Sequence, residues 1–154
     1  MEFHVKPENG ESHVYFKGDI DEKIGEVLQE VRPQIVPPKA YFHLDYVDLI
    51  NSIGISTWLT QLKDFKDIQL VFVGCSNTVI NTCRIVPNFL NGPVVSFYAR
   101  YFCDHCGYDE EQYGLITAME THASGELKKI PCSSCQRPME VDDHDQELVS
   151  LFTK

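Results

Sequence analysis

A chain of 154 residues with 43% hydrophobic and 23% charged side chains has enough apolar material for one ordinary domain, or for a domain of about 100 residues with a small appendage. Its net charge of −10, spread over residues 1–99 and 100–154 alike, repels phosphate backbones and argues against nucleic acid as a partner. No apolar run approaches the roughly 20 residues of a membrane-spanning helix, and the N-terminus lacks the basic start and apolar block of a secretory signal. The expectation is a cytoplasmic protein without a membrane partner, whose cysteines stay reduced and free to bind metal.

Taken in chain order, Val14, Tyr15 and Phe16 read as a short strand that ends at Gly18. Ile20, Ile24, Val27, Leu28 and Val31 then fall on one helical face, with Asp19 and Glu22 in capping-box spacing and Pro33 as the stop. Residues 40–49 are rich in aromatic and β-branched side chains and predict a strand; Ile55, Trp58, Leu59, Leu62 and Phe65 follow at helical spacing. A strand-to-helix junction is therefore expected near Asn51 and Ser52.

Residues 68–73 are apolar at nearly every position, as in a strand buried on both faces, so helices are expected on both sides of the sheet. Ser76 suits the N-cap of a further helix carrying Val79, Ile80, Cys83 and Val86, and Pro87 ends it. A last strand spans residues 94–102. The alternation of strands and helices predicts an open α/β sheet with right-handed crossovers, and no Gly-rich phosphate loop accompanies it. After Phe102 the texture changes, which sets a domain over 1–99 and a separate unit over 100–154; only residues 142–152 look helical there.

That second unit holds two Cys-x-x-Cys pairs, Cys103 with Cys106 and Cys132 with Cys135. Two residues between thiols let one turn present both sulfurs to one tetrahedral ion, and two such turns complete a closed four-thiolate site for one structural zinc. His105 is superfluous to that set. A closed site leaves no position for substrate, so the ion stabilises a unit too small for its own core. The two pairs, with Pro131 before the second and Pro138 after it, resemble the zinc ribbon. Cys75 and Cys83 lie outside the unit and read as small apolar core residues.

The segment from Leu44 through Asp48, Asn51, Ser52 and Gly54 to Ile55 resembles the STAS domain family, which includes the anti-sigma-factor antagonists. There a strand runs into an Asp-Ser-Ser-Gly turn and a helix. The turn from Gly18 to Asp21 resembles another element of the family, and the resemblance spans about residues 10–99. It implies a STAS-like sheet with helices, a phosphorylatable serine at Ser52, and a partner-binding edge that includes Asp21, Asn51 and Gly54. Asn51 and Ile53 depart from the family pattern, which bears on recognition by a kinase. Ser52 also has a plain role open to it as a helix N-cap, and Asp21 one as a solvated first-turn carboxylate.

The function these features imply is a non-enzymatic regulatory module that binds a protein partner, such as an anti-sigma-factor kinase, with a structural zinc ribbon attached. The oligomeric state is left open. The alternative is a transcription- or RNA-associated ribbon protein, against which residues 100–154 set eleven acidic side chains and five basic ones. An enzyme would need a nucleophile, a base and an orienting group in one pocket; His43, the histidine inside a predicted strand, has no partner at any informative spacing.

Overall fold

The computed structural model describes residues 1–107, 112–117, 127–142 and 147. It is a mixed α/β structure. The expected helix over 142–152 falls almost entirely outside the described residues.

The chain opens with a strand absent from the sequence reading. β1 (Glu2–Glu8) pairs antiparallel with β2 (Glu11–Ile20), and Asn9 and Gly10, at φ 51° and 81°, make the two-residue turn between them. Both positions need positive φ, which asparagine and glycine tolerate best. β2 runs through Gly18, held at φ 106°, and reaches Ile20. Asp19 therefore lies in the strand and does not cap the first helix. α1 (Ile24–Val31) has no side-chain cap at all, and Asp21 tightens the turn before it by accepting from the Lys23 N–H at 2.9 Å.

β3 (Lys39–Ile50) lies parallel to β2 and leads into α2 (Ser52–Gln61); β4 (Gln69–Val73) lies parallel to β3 and leads into α3 (Asn77–Ile85). Ser76 caps α3 as its position predicts, accepting from the Val79 N–H at 3.4 Å. The order of the first sheet is β1-β2-β3-β4.

Alternation along these strands divides the sheet into two unlike faces. Val14, Phe16, Ala40, Phe42, Leu44, Leu70 and Phe72 point into one buried cluster, to which α1 adds Ile24 and Leu28, α2 adds Trp58, and α3 adds Val79 and Ile80. Phe42 is its hub, meeting Phe16, Trp58, Phe65 and Phe72 edge-on with ring centroids 5.1 to 6.2 Å away. Such edge-to-face contacts are worth about 0.5–1.5 kcal/mol each beyond the area they bury. On the other face His13, Tyr15, Tyr41 and His43 are only half-buried and Lys17 is exposed. The expectation of helices on both sides is thus not met over β2 and β3 among the described residues: alternating polar and aromatic side chains there suit a face in contact with water.

β5 (Ser96–Phe102) belongs to the second sheet and is joined to the first by the chain around it. Val94, two residues before β5, makes an isolated bridge to Phe72 of β4, Phe97 makes another to Cys75 just beyond β4, and the Tyr98 N–H donates to the Cys75 carbonyl at 2.9 Å. Along Ser96 to Tyr101 β5 pairs antiparallel with β6 (Gln112–Thr117), and at Tyr101 and Phe102 with β8 (Pro138–Val141), which in turn pairs with β7 (Ile130–Pro131). The second sheet has the order β6-β5-β8-β7. The division drawn between residues 99 and 100 falls inside β5, and Tyr101, Ile116 and Met139 are buried in the same cluster as Phe97.

Candidate functional site

The second sheet brings the two cysteine pairs together. Cys103 and Cys106 stand on the turn after β5, and Cys132 and Cys135 on the turn between β7 and β8. Cys103 Sγ is 3.6 Å from Cys135 Sγ and 3.6 Å from Cys106 Sγ, and Cys106 Sγ is 3.8 Å from Cys132 Sγ. All four sulfurs lie within 4.8 Å of one another. Four thiolates about 2.3 Å from one tetrahedral ion would stand about 3.8 Å apart, so the set has the dimensions of a metal site. His105 is exposed and outside it.

The backbone makes each turn in the same way. The residue after the second cysteine of each pair, Gly107 or Gln136, has φ 61°, which turns the chain back under the sulfurs. In the second turn Gln136 N–H donates to the Cys132 carbonyl and Cys132 N–H to the Arg137 carbonyl, both at 2.9 Å. The Cys135 N–H, then the Ser134 N–H and the Gln112 side chain, favour negative charge on Cys132 and bring its thiol down to about 6, against the opposing effect of burial. Gln112 also accepts from the Ser133 N–H at 2.9 Å, which ties β6 to the turn. The donors suit a thiophilic ion that takes four sulfurs.

Cys75 is fully buried away from this group, and burial, with the nearby Cys83 and Asp45, pushes its thiol well above the ordinary range. An inert packed thiol is what such surroundings produce.

At the second candidate site Ser52 is the first residue of α2 and is exposed. The cap belongs to its neighbour: Asn51 Oδ1 accepts from the Gly54 N–H at 2.7 Å. Asn51 N–H donates to the Ile20 carbonyl at 3.2 Å, fastening the junction to the end of β2. Gly54 is indispensable to this arrangement, because a Cβ there would sit 2.1 Å from the Ile20 carbonyl oxygen and 2.9 Å from the Asp21 nitrogen. The fold therefore brings Asp21, Asn51, Ser52 and Gly54 to one end of the sheet, the end where strands β2 and β3 terminate. Leu49 and Ile53, on either side of Ser52 in the chain, are 67% and 59% exposed.

Two features had no counterpart in the sequence. A cleft of about 360 Å³ separates the N-terminus of α3 from the second sheet, lined in part by Asp45, Asp48, Ser76, Thr78, Tyr98 and Tyr113. Burial, then the charge of Asp45, raises the Tyr98 phenol there. His43 does have a partner, brought to it by the sheet and not by chain spacing: its Nε2 is 2.9 Å from His13 Nδ1, and burial followed by His13 lowers its affinity for a proton. Among the described residues no helix is long and apolar enough to cross a membrane. Neither the comparison with protein-family models nor the comparison with curated proteins returns a match to this chain.

Proposed function

We propose that this protein is a non-enzymatic regulatory module that binds a protein partner at the Ser52 end of its sheet, in the manner of the anti-sigma-factor antagonists that residues 10–99 resemble. The observation that carries the reading is the exposure of Leu49 and Ile53 beside Ser52. Two large aliphatic side chains standing in water on either side of Ser52 in the chain supply the apolar part of a contact patch. Phosphorylation of Ser52 would add about −1.5 to −2 charges at that point, which an apolar partner surface does not accommodate.

In the same reading the four cysteines hold one zinc ion as a structural staple. Thiolate-only coordination with sulfurs at these separations suits zinc, and nothing in a closed four-sulfur shell admits a substrate. Nucleic acid is a poorer fit for the unit than a protein, since Lys129 is engaged by Glu140 at 2.5 Å and Arg100 by Asp142.

The test is capture from native cell extract on immobilised protein, comparing the unaltered chain with Ser52→Asp and Ile53→Lys. A partner retained by the first and lost by both variants, with unchanged melting temperatures, is the expected result. Equal retention by all three would refute the assignment of this edge.

A further inference from the structure

The open face of the first sheet carries a group of metal-ligating side chains that neither the cysteine cluster nor the Ser52 junction uses. His13 and His43 stand on the adjacent parallel strands β2 and β3, where the register sets His13 beside Tyr41 and Tyr15 beside His43. The two imidazoles are thus diagonal neighbours, with His13 Nδ1 and His43 Nε2 only 2.9 Å apart. Each ring is clamped by a tyrosine. His13 stacks on Tyr41 at 4.5 Å between centroids and 10° between planes, and His43 on Tyr15 at 4.1 Å and 16°.

A carboxylate lies beside His13. Glu8, at the end of β1, accepts a hydrogen bond from the Tyr15 hydroxyl through Oε1 at 3.0 Å, while its Oε2 lies 4.0 Å from His13 Nδ1. One tyrosine therefore both supports the His43 ring and steers the Glu8 carboxylate.

We propose that His13, His43 and Glu8 form a second metal site, for a divalent transition ion of intermediate softness such as Ni²⁺ or Zn²⁺. Two imidazole nitrogens about 2.05 Å from one ion and at right angles stand about 2.9 Å apart, an ordinary cis arrangement in octahedral or square coordination. Two histidines and one carboxylate on one face leave the remaining positions to water. The hydrogen bond from Tyr15 to Glu8 is the kind of outer contact that orients a ligating carboxylate. Binding replaces the imidazole–imidazole hydrogen bond with two nitrogen–metal bonds. The proton between the rings moves to the far nitrogen of the ring that holds it, so both facing nitrogens become donors and no proton is lost. The site is independent of the partner-binding reading.

The experiment loads the full-length chain with zinc at the cysteines, verifies the zinc content, and titrates it with Ni²⁺ by calorimetry while imidazole signals are followed by NMR. The expected result is one Ni²⁺ per chain with the His13 and His43 ring signals broadened, those of His105 retained, and the zinc content unchanged. His13→Ala and His43→Gln should each weaken binding at least tenfold. Glu8→Gln, an exposed position with little bearing on folding, should weaken it several-fold, and His4→Ala, on the same face, should leave it unaltered. Absence of saturable Ni²⁺ binding, or equal affinity in Glu8→Gln, His13→Ala and the unaltered chain, would reduce the group to a plain histidine hydrogen bond and overturn the proposal.

Discussion

At the scale of single residues the junction at Ser52 separates two jobs that a sequence tends to merge. A serine opening a helix reads as its cap, but the cap is Asn51, whose side-chain oxygen holds the Gly54 N–H. Ser52 is left with its hydroxyl exposed, so its chemistry is available for something other than folding. Asn51→Ala should accordingly cost about 1 kcal/mol of stability, and Ser52→Ala no more than about 0.5 kcal/mol, in paired urea titrations. Equal losses would return the cap to Ser52. Gly54→Ala belongs to a harsher class: the obstruction is the backbone carbonyl of Ile20, which no side-chain rotation relieves, and a penalty of about 1–3 kcal/mol is expected in the same titration.

At the scale of elements, legibility followed the size of the buried face. α2, the 3₁₀ turn Leu62–Phe65 that extends it, and β4 could be read because Trp58, Leu62, Phe65, Leu70 and Phe72 all enter the core. β1 could not, since its inward residues Phe3 and Val5 are only half-buried and alternate with Glu2, His4 and Lys6; the signal that marks it is the Asn9–Gly10 turn. The start of α1 was misjudged because Gly18, at φ 106°, lets the strand continue where a glycine suggests a break. The cysteine pairs announced themselves by spacing alone, whereas the His13–His43 contact depends on a parallel register that no local pattern encodes. Trp58 is the residue that joins α2 to the rest. It is fully buried, stacks on Phe89 at 5.5 Å between centroids, and donates from Nε1 to the Phe89 carbonyl at 2.9 Å. Trp58→Ala should lower stability by about 3–5 kcal/mol in chemical denaturation, and Trp58→Phe by appreciably less.

For the whole molecule the decisive element is β5, which ties the second sheet to the first. Elemental analysis of the His13→Ala chain grown in zinc-replete medium should give one zinc per chain, held at the cysteines, under the reading proposed above. Removing it with a strong chelator should then lower the melting temperature of the main sheet as well as loosening the cysteine unit, because β6 and β8 hold the strand whose Phe97 bridges Cys75, just beyond the end of β4. A main-sheet transition unchanged by chelation would mean that the two units are thermodynamically separate. β5 has a further consequence. An open sheet presents bare amide and carbonyl groups along its outermost strands, an invitation to unwanted stacking of one copy on another. On one margin Lys6, Pro7 and Glu8 of β1 discourage this by charge and by a missing N–H. On the other, β6 hydrogen-bonds along β5 from Ser96 to Tyr101, so the cysteine-bearing unit acts as a shield for the margin of the main sheet. A chain cut at residue 99 would lose that shield and half of the strand beneath it, and would be prone to aggregate however sound its remaining core.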